Sequence, residues 1–200
     1  MATSHQQLSG SQARTRAAIL AATASVLARN RSATLPDIAD AAGVGRTTLH
    51  RYFADRERLI QEATVDSIRV IDETIAHAAI DQGPARDAMH RYINAIVSSS
   101  GDQILFLFRD TTTPRYSDRG RARRIGEPVN QPNREPVIAL IKRGQDEGAF
   151  DPELSVTWIE HALYALIRQG CEDANRGDML RHTVAPTVIH TFERGICTPG

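Results

Sequence analysis

The chain has 200 residues, with 24 Lys and Arg against 24 Asp and Glu, so its formal net charge is zero. No apolar run approaches the ~20 residues of a membrane span, and the chain does not open on a charged-then-apolar signal pattern. Two distant cysteines, Cys171 and Cys197, exclude a disulfide framework, so the expectation is a cytoplasmic globular protein of one or two domains.

The neutral total hides an asymmetry. Residues 1–60 hold eight Arg and four acids, a balance of +4, which leaves 16 basic and 20 acidic residues, −4, for the remainder. A basic front on an acidic body suits a protein that meets a polyanion with one end only.

In chain order, residues 1–11 are polar, hold no Arg or Lys and read as a disordered tail. A first helix is predicted from about Gln12 to Arg29, with Ile19, Leu20, Val26 and Leu27 buried and Arg14 and Arg16 near its start. Thr34 to Phe53 then reads as two short helices joined by a tight turn. Thr34 and Asp37 have the spacing of a capping box, and Pro36 falls in the first turn, where its missing N–H costs nothing. Leu35, Ile38, Ala39 and Ala42 recur at helical spacing, and Gly43 stands where a positive φ ends a helix. Gly45 opens the next helix. Leu49 and Phe53 bury one side of it, and Arg46, Thr47, His50 and Arg51 occupy the other. That is the pattern of a helix-turn-helix, whose second helix lays its first turn against base edges in the major groove. Arg can donate two bonds to guanine, and Thr offers a hydroxyl or a methyl.

The same spacing also fits a helical hairpin in the core of an unrelated all-α protein. The capped IADAAGV segment, the Thr-rich helix, LHRYF and the DRERL restart go further: together they resemble the DNA-binding segment of the TetR family of transcriptional regulators over about residues 14–60. Two positions depart from that pattern. Gly45 replaces the usual Ser or Thr at the start of the recognition helix, and His50 replaces the usual aromatic. The resemblance implies DNA contacts from Arg14, Arg16, Thr34, Arg46, Thr47, Thr48, His50, Arg51, Tyr52 and Arg56, with the two helix-1 arginines and Arg56 near phosphates.

Asp55 can cap a fourth helix reaching about Ala79, with Ile60, Thr64, Ile68, Ile71, Ile75 and Ala78 along its buried stripe. In TetR-like proteins this rod links a sensor body to the DNA-binding head. Gly83-Pro84 breaks the chain, and a fifth helix is expected to end in the Ser98–Gly101 run. ILFLF, Ile104 to Phe108, fits a buried strand or a short buried helix. Helix is the reading adopted, because no other strand is predicted to pair with it. Residues 111–128 are irregular, and the basic stretch 115–124 reads as a solvated loop, as a second nucleic-acid patch, or as a loop beside a pocket that supplies an Arg to an anionic ligand. Helices follow at about 131–147 (Val137, Ile138, Leu140 and Ile141 buried), 156–176 and 179–195. The helix at 156–176 has two apolar faces, one through Val156, Ile159, Leu163 and Ile167 and a flatter one through Trp158, Ala162 and Ala165. The last helix is expected to bury Leu180, Val184, Val188 and Phe192 and to bend at Pro186.

The expected fold is all-α, with about nine helices: a helix-turn-helix DNA-binding domain over 12–55 and a helical ligand-binding and dimerisation domain over 56–200. The TetR resemblance implies a homodimer through the last two helices, about 156–195, on a palindromic double-stranded operator. It also implies a repressor released by a small, apolar or aromatic ligand. Met89, Tyr92, Ile96, Phe106, Phe108, Trp158 and Tyr164 are the candidate ligand-binding residues, and each also fits plain core packing. The alternative is a small-molecule binding protein or enzyme with a structural helical head. Against an enzyme, no phosphate loop, HExxH, CxxC or nucleophile elbow occurs. His161 with Cys171, and His182 with His190, lack one-turn metal-ligand spacing, so neither metal nor cofactor is expected.

Overall fold

The computed structural model describes residues 9–109 and 132–197. The expectations for residues 1–8 of the tail, for the irregular region 111–128 and for its basic stretch 115–124 lie outside the described residues. Among those residues there are eight helices: α1 (Gly10–Arg29), α2 (Leu35–Ala41), α3 (Arg46–Tyr52), α4 (Arg56–His77), α5 (Ala85–Arg109), α6 (Glu135–Asp146), α7 (Val156–Arg176) and α8 (Arg181–Ile196). The chain divides into two compact units, residues 1–66 and 67–200, and α4 contributes to both.

In the first unit, α1 begins at Gly10 rather than Gln12. Ser9 and Gln12 form a capping box, with the Ser9 N–H donating to Gln12 Oε1 at 2.8 Å. The buried side of α1 is Ile19, Leu20, Thr23, Ala24, Leu27 and Ala28. Val26 is only half-buried, and Thr23 takes a core place by donating its hydroxyl to Ile19 O at 2.7 Å. The capping box at the start of α2 is as predicted, with the Thr34 N–H 2.7 Å from Asp37 Oδ2. Two donors from Thr34 hold the Asp37 carboxyl below the usual carboxylate range. Gly43 has φ +66°, the left-handed turn that releases the chain toward α3.

In the second unit, α5 does not stop at the serine–glycine run: it continues unbroken through Ile104–Phe108 to Arg109. Ser98 returns its hydroxyl to Asn94 O, and the buried Ser100 hydroxyl meets Thr74 Oγ1 at 2.8 Å. At Gly101 an added Cβ would come within 3.1 Å of Cys171 Sγ. The small residues therefore mark where α5 packs closely, and two expected helices merge into one. The core of this unit joins Ile93 and Ile96 of α5 and Leu140 and Ile141 of α6 to Ile159, Leu163 and Ile167 of α7 and Val188 and Phe192 of α8. Ile138 of α6 is only half-buried. Leu180, expected to be buried, is 66% exposed: α8 starts at Arg181, two residues later than expected, and leaves Leu180 as the N-cap. Pro186 lies inside α8 on its exposed side. Among the described residues no helix is long and apolar enough to cross a membrane.

Candidate nucleic-acid interface and ligand cavity

The outward face of α3 follows from what α3 buries. Leu49 is 1% exposed and Phe53, its C-cap, is fully buried, so both anchor the helix to the first unit's core. Arg46, Thr47, His50 and Arg51 are exposed, and Thr48 and Tyr52 are half-buried beside them. The Arg51 guanidinium lies 5.6 Å from the Tyr52 ring centroid. The N-cap Gly45 has extended geometry, φ −71° and ψ 153°, and no side-chain cap bond. The first-turn N–H groups of α3 therefore have no cap from the N-cap side chain, at the end where the helix dipole favours an anion.

The other arginines of this unit are placed differently. Arg14 is exposed on α1. Arg16 pairs with Glu62 of α4 and stands 5.7 Å over the Phe53 ring. Arg56 donates Nη1 to Ala33 O at 2.6 Å and Nη2 to Arg31 O at 3.2 Å, tying the start of α4 to the α1–α2 turn. Arg58 also reaches Glu62, at 2.6 Å. Thr34 is exposed, with its hydroxyl 2.8 Å from Asp37 Oδ2. Of the candidate DNA contacts, the structure thus gathers those of α3 on one surface and engages Arg16, Arg56 and Thr34 with the protein itself.

The ligand candidates divide in the same way. Met89, Tyr92, Ile96 and Phe106 are core residues. Tyr164 is buried and tilts against Phe108, ring centroids 6.3 Å apart, while Phe108 is 41% exposed. Trp158 is 59% exposed and shares the outer side of α7 with the exposed Ala165. A cavity of about 450 Å³ lies elsewhere in the second unit, lined by Asp72, Ile75 and Ala76 of α4, Ile80 and Asp81 after it, and Asn133 and Pro136. Sequence reasoning searched for aromatic and Met side chains and so passed over this lining. Among its described lining residues the sequence signal is a pair of aspartates, Asp72 and Asp81, on either side of Ile75, Ala76 and Ile80.

Glu160 of α7 is fully buried and takes a two-point ion pair from Arg134, the partner a buried carboxylate requires. Burial pushes the Cys171 thiol up to about 11, which keeps it protonated and unreactive at neutral pH. Among the described residues no cluster of His, Cys, Asp or Glu could hold a metal ion.

Comparison with known proteins places this geometry. Residues 19–63, which span most of α1, all of α2 and α3 and the start of α4, match the model described as bacterial regulatory proteins, tetR family. The chain is 31% identical over 190 residues to the HTH-type transcriptional repressor LfrR of Mycolicibacterium smegmatis, covering 95% of this chain and 94% of that protein. It is 24% identical over 168 residues to the HTH-type transcriptional regulator NfxB of Pseudomonas aeruginosa, covering 84% and 86%. The crystal structure of LfrR from Mycobacterium smegmatis in complex with proflavine superposes with a TM-score of 0.69 at 27% identity, covering 94% of this chain and 99% of that one.

Proposed function

The chain belongs to the tetR family of bacterial regulatory proteins, DNA-binding transcriptional regulators rather than enzymes, and from that premise we propose that it is a dimeric repressor that binds a palindromic operator and is released by a flat, largely apolar ligand. The outward face of α3 carries the reading. Arg46, Thr47, His50 and Arg51 are exposed on a helix whose opposite side, through Leu49, is locked into the core. A hairpin serving only as structure has no use for that array, whereas base edges in a major groove do. Thr48, Tyr52 and Arg14 flank the contact. Arg16, Arg56 and Thr34 hold the head in shape.

Dimerisation through α7 and α8 is supported by the large apolar side chain that α7 leaves outside, Trp158, next to the exposed Ala165. A two-fold dimer sets two heads on the two halves of a palindrome. Release by a flat aromatic ligand is supported by the complex of LfrR with proflavine. The ligand acts by preferring a form of the second unit in which the heads no longer match the half-sites, and it shifts binding only by its differential affinity for the two forms.

The test is selection of the purified chain against a pool of random duplexes, followed by salt titration of the winner and addition of proflavine. Enrichment of a palindrome, affinity that falls steeply with salt, and release by the dye are the expected results. Enrichment of an asymmetric site would sink the dimer, and failure to enrich any site would sink the operator.

A further inference from the structure

Between residues 9 and 66 the sequence holds one histidine, His50, and the fold leaves it exposed. It lies in the last turn of α3, next to Arg51 and one turn after Arg46. Its neighbour Leu49 is 1% exposed and locks the helix from behind, so His50 stands on the outer face with Arg46, Thr47 and Arg51. A histidine changes its charge between about pH 5 and pH 8, and the other members of this face do not.

The charged groups around α3 are accounted for without it. On α2, Asp37 accepts from the Thr34 N–H at 2.7 Å and from its hydroxyl at 2.8 Å, and Asp40 is exposed. Toward α4, Asp55 Oδ1 accepts the Arg58 N–H at 2.8 Å, Glu62 takes Arg16 and Arg58, and Glu57 is exposed. Arg56 closes on the Ala33 and Arg31 carbonyls, and Arg51 lies against the half-buried Tyr52 ring. Among the described residues His50 forms no hydrogen bond or ion pair with any of these groups. His90 of the second unit shows the contrast, with its Nε2 at 2.9 Å from Glu193 Oε1. In the free head, a proton on His50 has no carboxylate bonded to it.

We propose that His50 is a proton-coupled phosphate contact, so that operator binding tightens as the pH falls. The inference rests on the regulator reading above and adds a regulation of its DNA contact. A recognition helix lays its first turn against base edges, and a residue one turn on, about 6 Å along the axis, meets the sugar-phosphate wall of the groove. Arg46 and Thr47 take the base edges, and His50 takes the phosphate. The phosphate is the anion that the head itself does not supply, and an imidazolium donates to it in a charge-assisted bond. The bound head therefore holds a solvent proton more tightly than the free head does. By reciprocity, the protonated head holds DNA more tightly. The complex binds more protons than its separate parts, so the gain is present in full at the acid end of the histidine range and is lost as the pH rises through it.

The experiment titrates the full-length chain with the selected duplex at about pH 8 and about pH 6, at fixed ionic strength, and repeats the salt titration at both. The variants are H50Q, a neutral donor and acceptor, and H50R, a permanent cation. Both change an exposed side chain, and a melting curve checks that each is folded. Wild-type affinity is expected to rise roughly five- to tenfold toward the acid end, with a salt slope steeper by about one phosphate per head. H50Q is expected to show neither change, and H50R to bind tightly at both pH values. A phosphate carries no sequence, so H50Q should keep the wild-type preference between the selected duplex and one with a single base pair altered. Wild-type affinity indifferent to pH overturns the proposal. So does a pH dependence that survives in H50Q, or an H50Q chain that loses its preference at one base pair, which would make His50 a base reader. The two readings fail separately. A chain that selects no duplex sinks the regulator and this inference with it, whereas a palindrome bound equally well at both pH values sinks the inference alone.

Discussion

The outer face of α3 and the seam between α1 and α4 are built from the same residue type and put it to opposite uses. On α3, Arg46 and Arg51 stand exposed on a helix held from behind by Leu49. Along the seam, Arg16 pairs with Glu62 across Phe53, and Arg56 closes on two backbone carbonyls. A guanidinium already satisfied by the protein contributes mainly to the shape of the head. An exposed one keeps its donors for a partner. The lesson is that the +4 balance of residues 1–60 overstates the charge aimed at DNA, because part of it is spent inside the unit.

That contrast can be broken by truncating one arginine from each set. Arg46→Ala should cost roughly 1–3 kcal/mol of affinity for the cognate duplex, with no change in melting temperature. Calorimetry and a binding titration on the same preparation read both quantities. If the melting temperature falls and affinity holds, the outer face has been misassigned. Arg56→Ala should do the opposite. It removes two charge-assisted bonds to carbonyls, one of them half-buried, so the first unit should lose about 2 kcal/mol of stability. Its effect on DNA should be small once the protein is compared well below its melting temperature. A large loss of affinity with stability intact would move Arg56 to the DNA-facing set.

How much of this was legible in the sequence depends on the distance between partners. The Thr34–Asp37 cap, the Gly43 turn, the Leu49 and Phe53 anchors and the polar side of α3 are local patterns, and each is set by residues within a few positions of one another. The engagement of Arg56 was not legible, because its acceptors are 23 and 25 residues upstream and are backbone oxygens, which carry no sequence signal. The continuity of α5 was hidden for a similar reason. Ser98–Gly101 reads as a break by composition, yet Ser100 bonds to Thr74 and Gly101 admits the Cys171 sulfur, contacts that only the packed fold supplies. The cavity was missed because large apolar side chains such as Met89, Tyr92 and Ile96 closed the core instead of lining a space. The space opened where α4 ends beside two aspartates.

The smallest effects sharpen the comparison most, since they ask whether the outer face is tuned as well as exposed. Two glycines, 43 and 45, flank the entry to α3, and an added Cβ meets nothing within 4 Å at either. Space therefore cannot distinguish them, and only backbone geometry can. Gly43 sits at φ +66°, so Gly43→Ala should lose about 1–2 kcal/mol of stability through the left-handed conformation alone. Gly45 sits at φ −71° and ψ 153°, which any residue adopts, and it is the N-cap of α3 with no side-chain cap bond. Gly45→Ser should therefore gain a few tenths of a kcal/mol, by offering an acceptor to the first-turn N–H groups. The same substitution places a hydroxyl where those N–H groups otherwise face outward. If α3 binds DNA with its N-terminal turn close to a phosphate, Gly45→Ser should stabilise the head while weakening duplex binding slightly. A gain in both would mean that the first turn of α3 makes no backbone contact, and that recognition rests on side chains such as Arg46 and Thr47 alone.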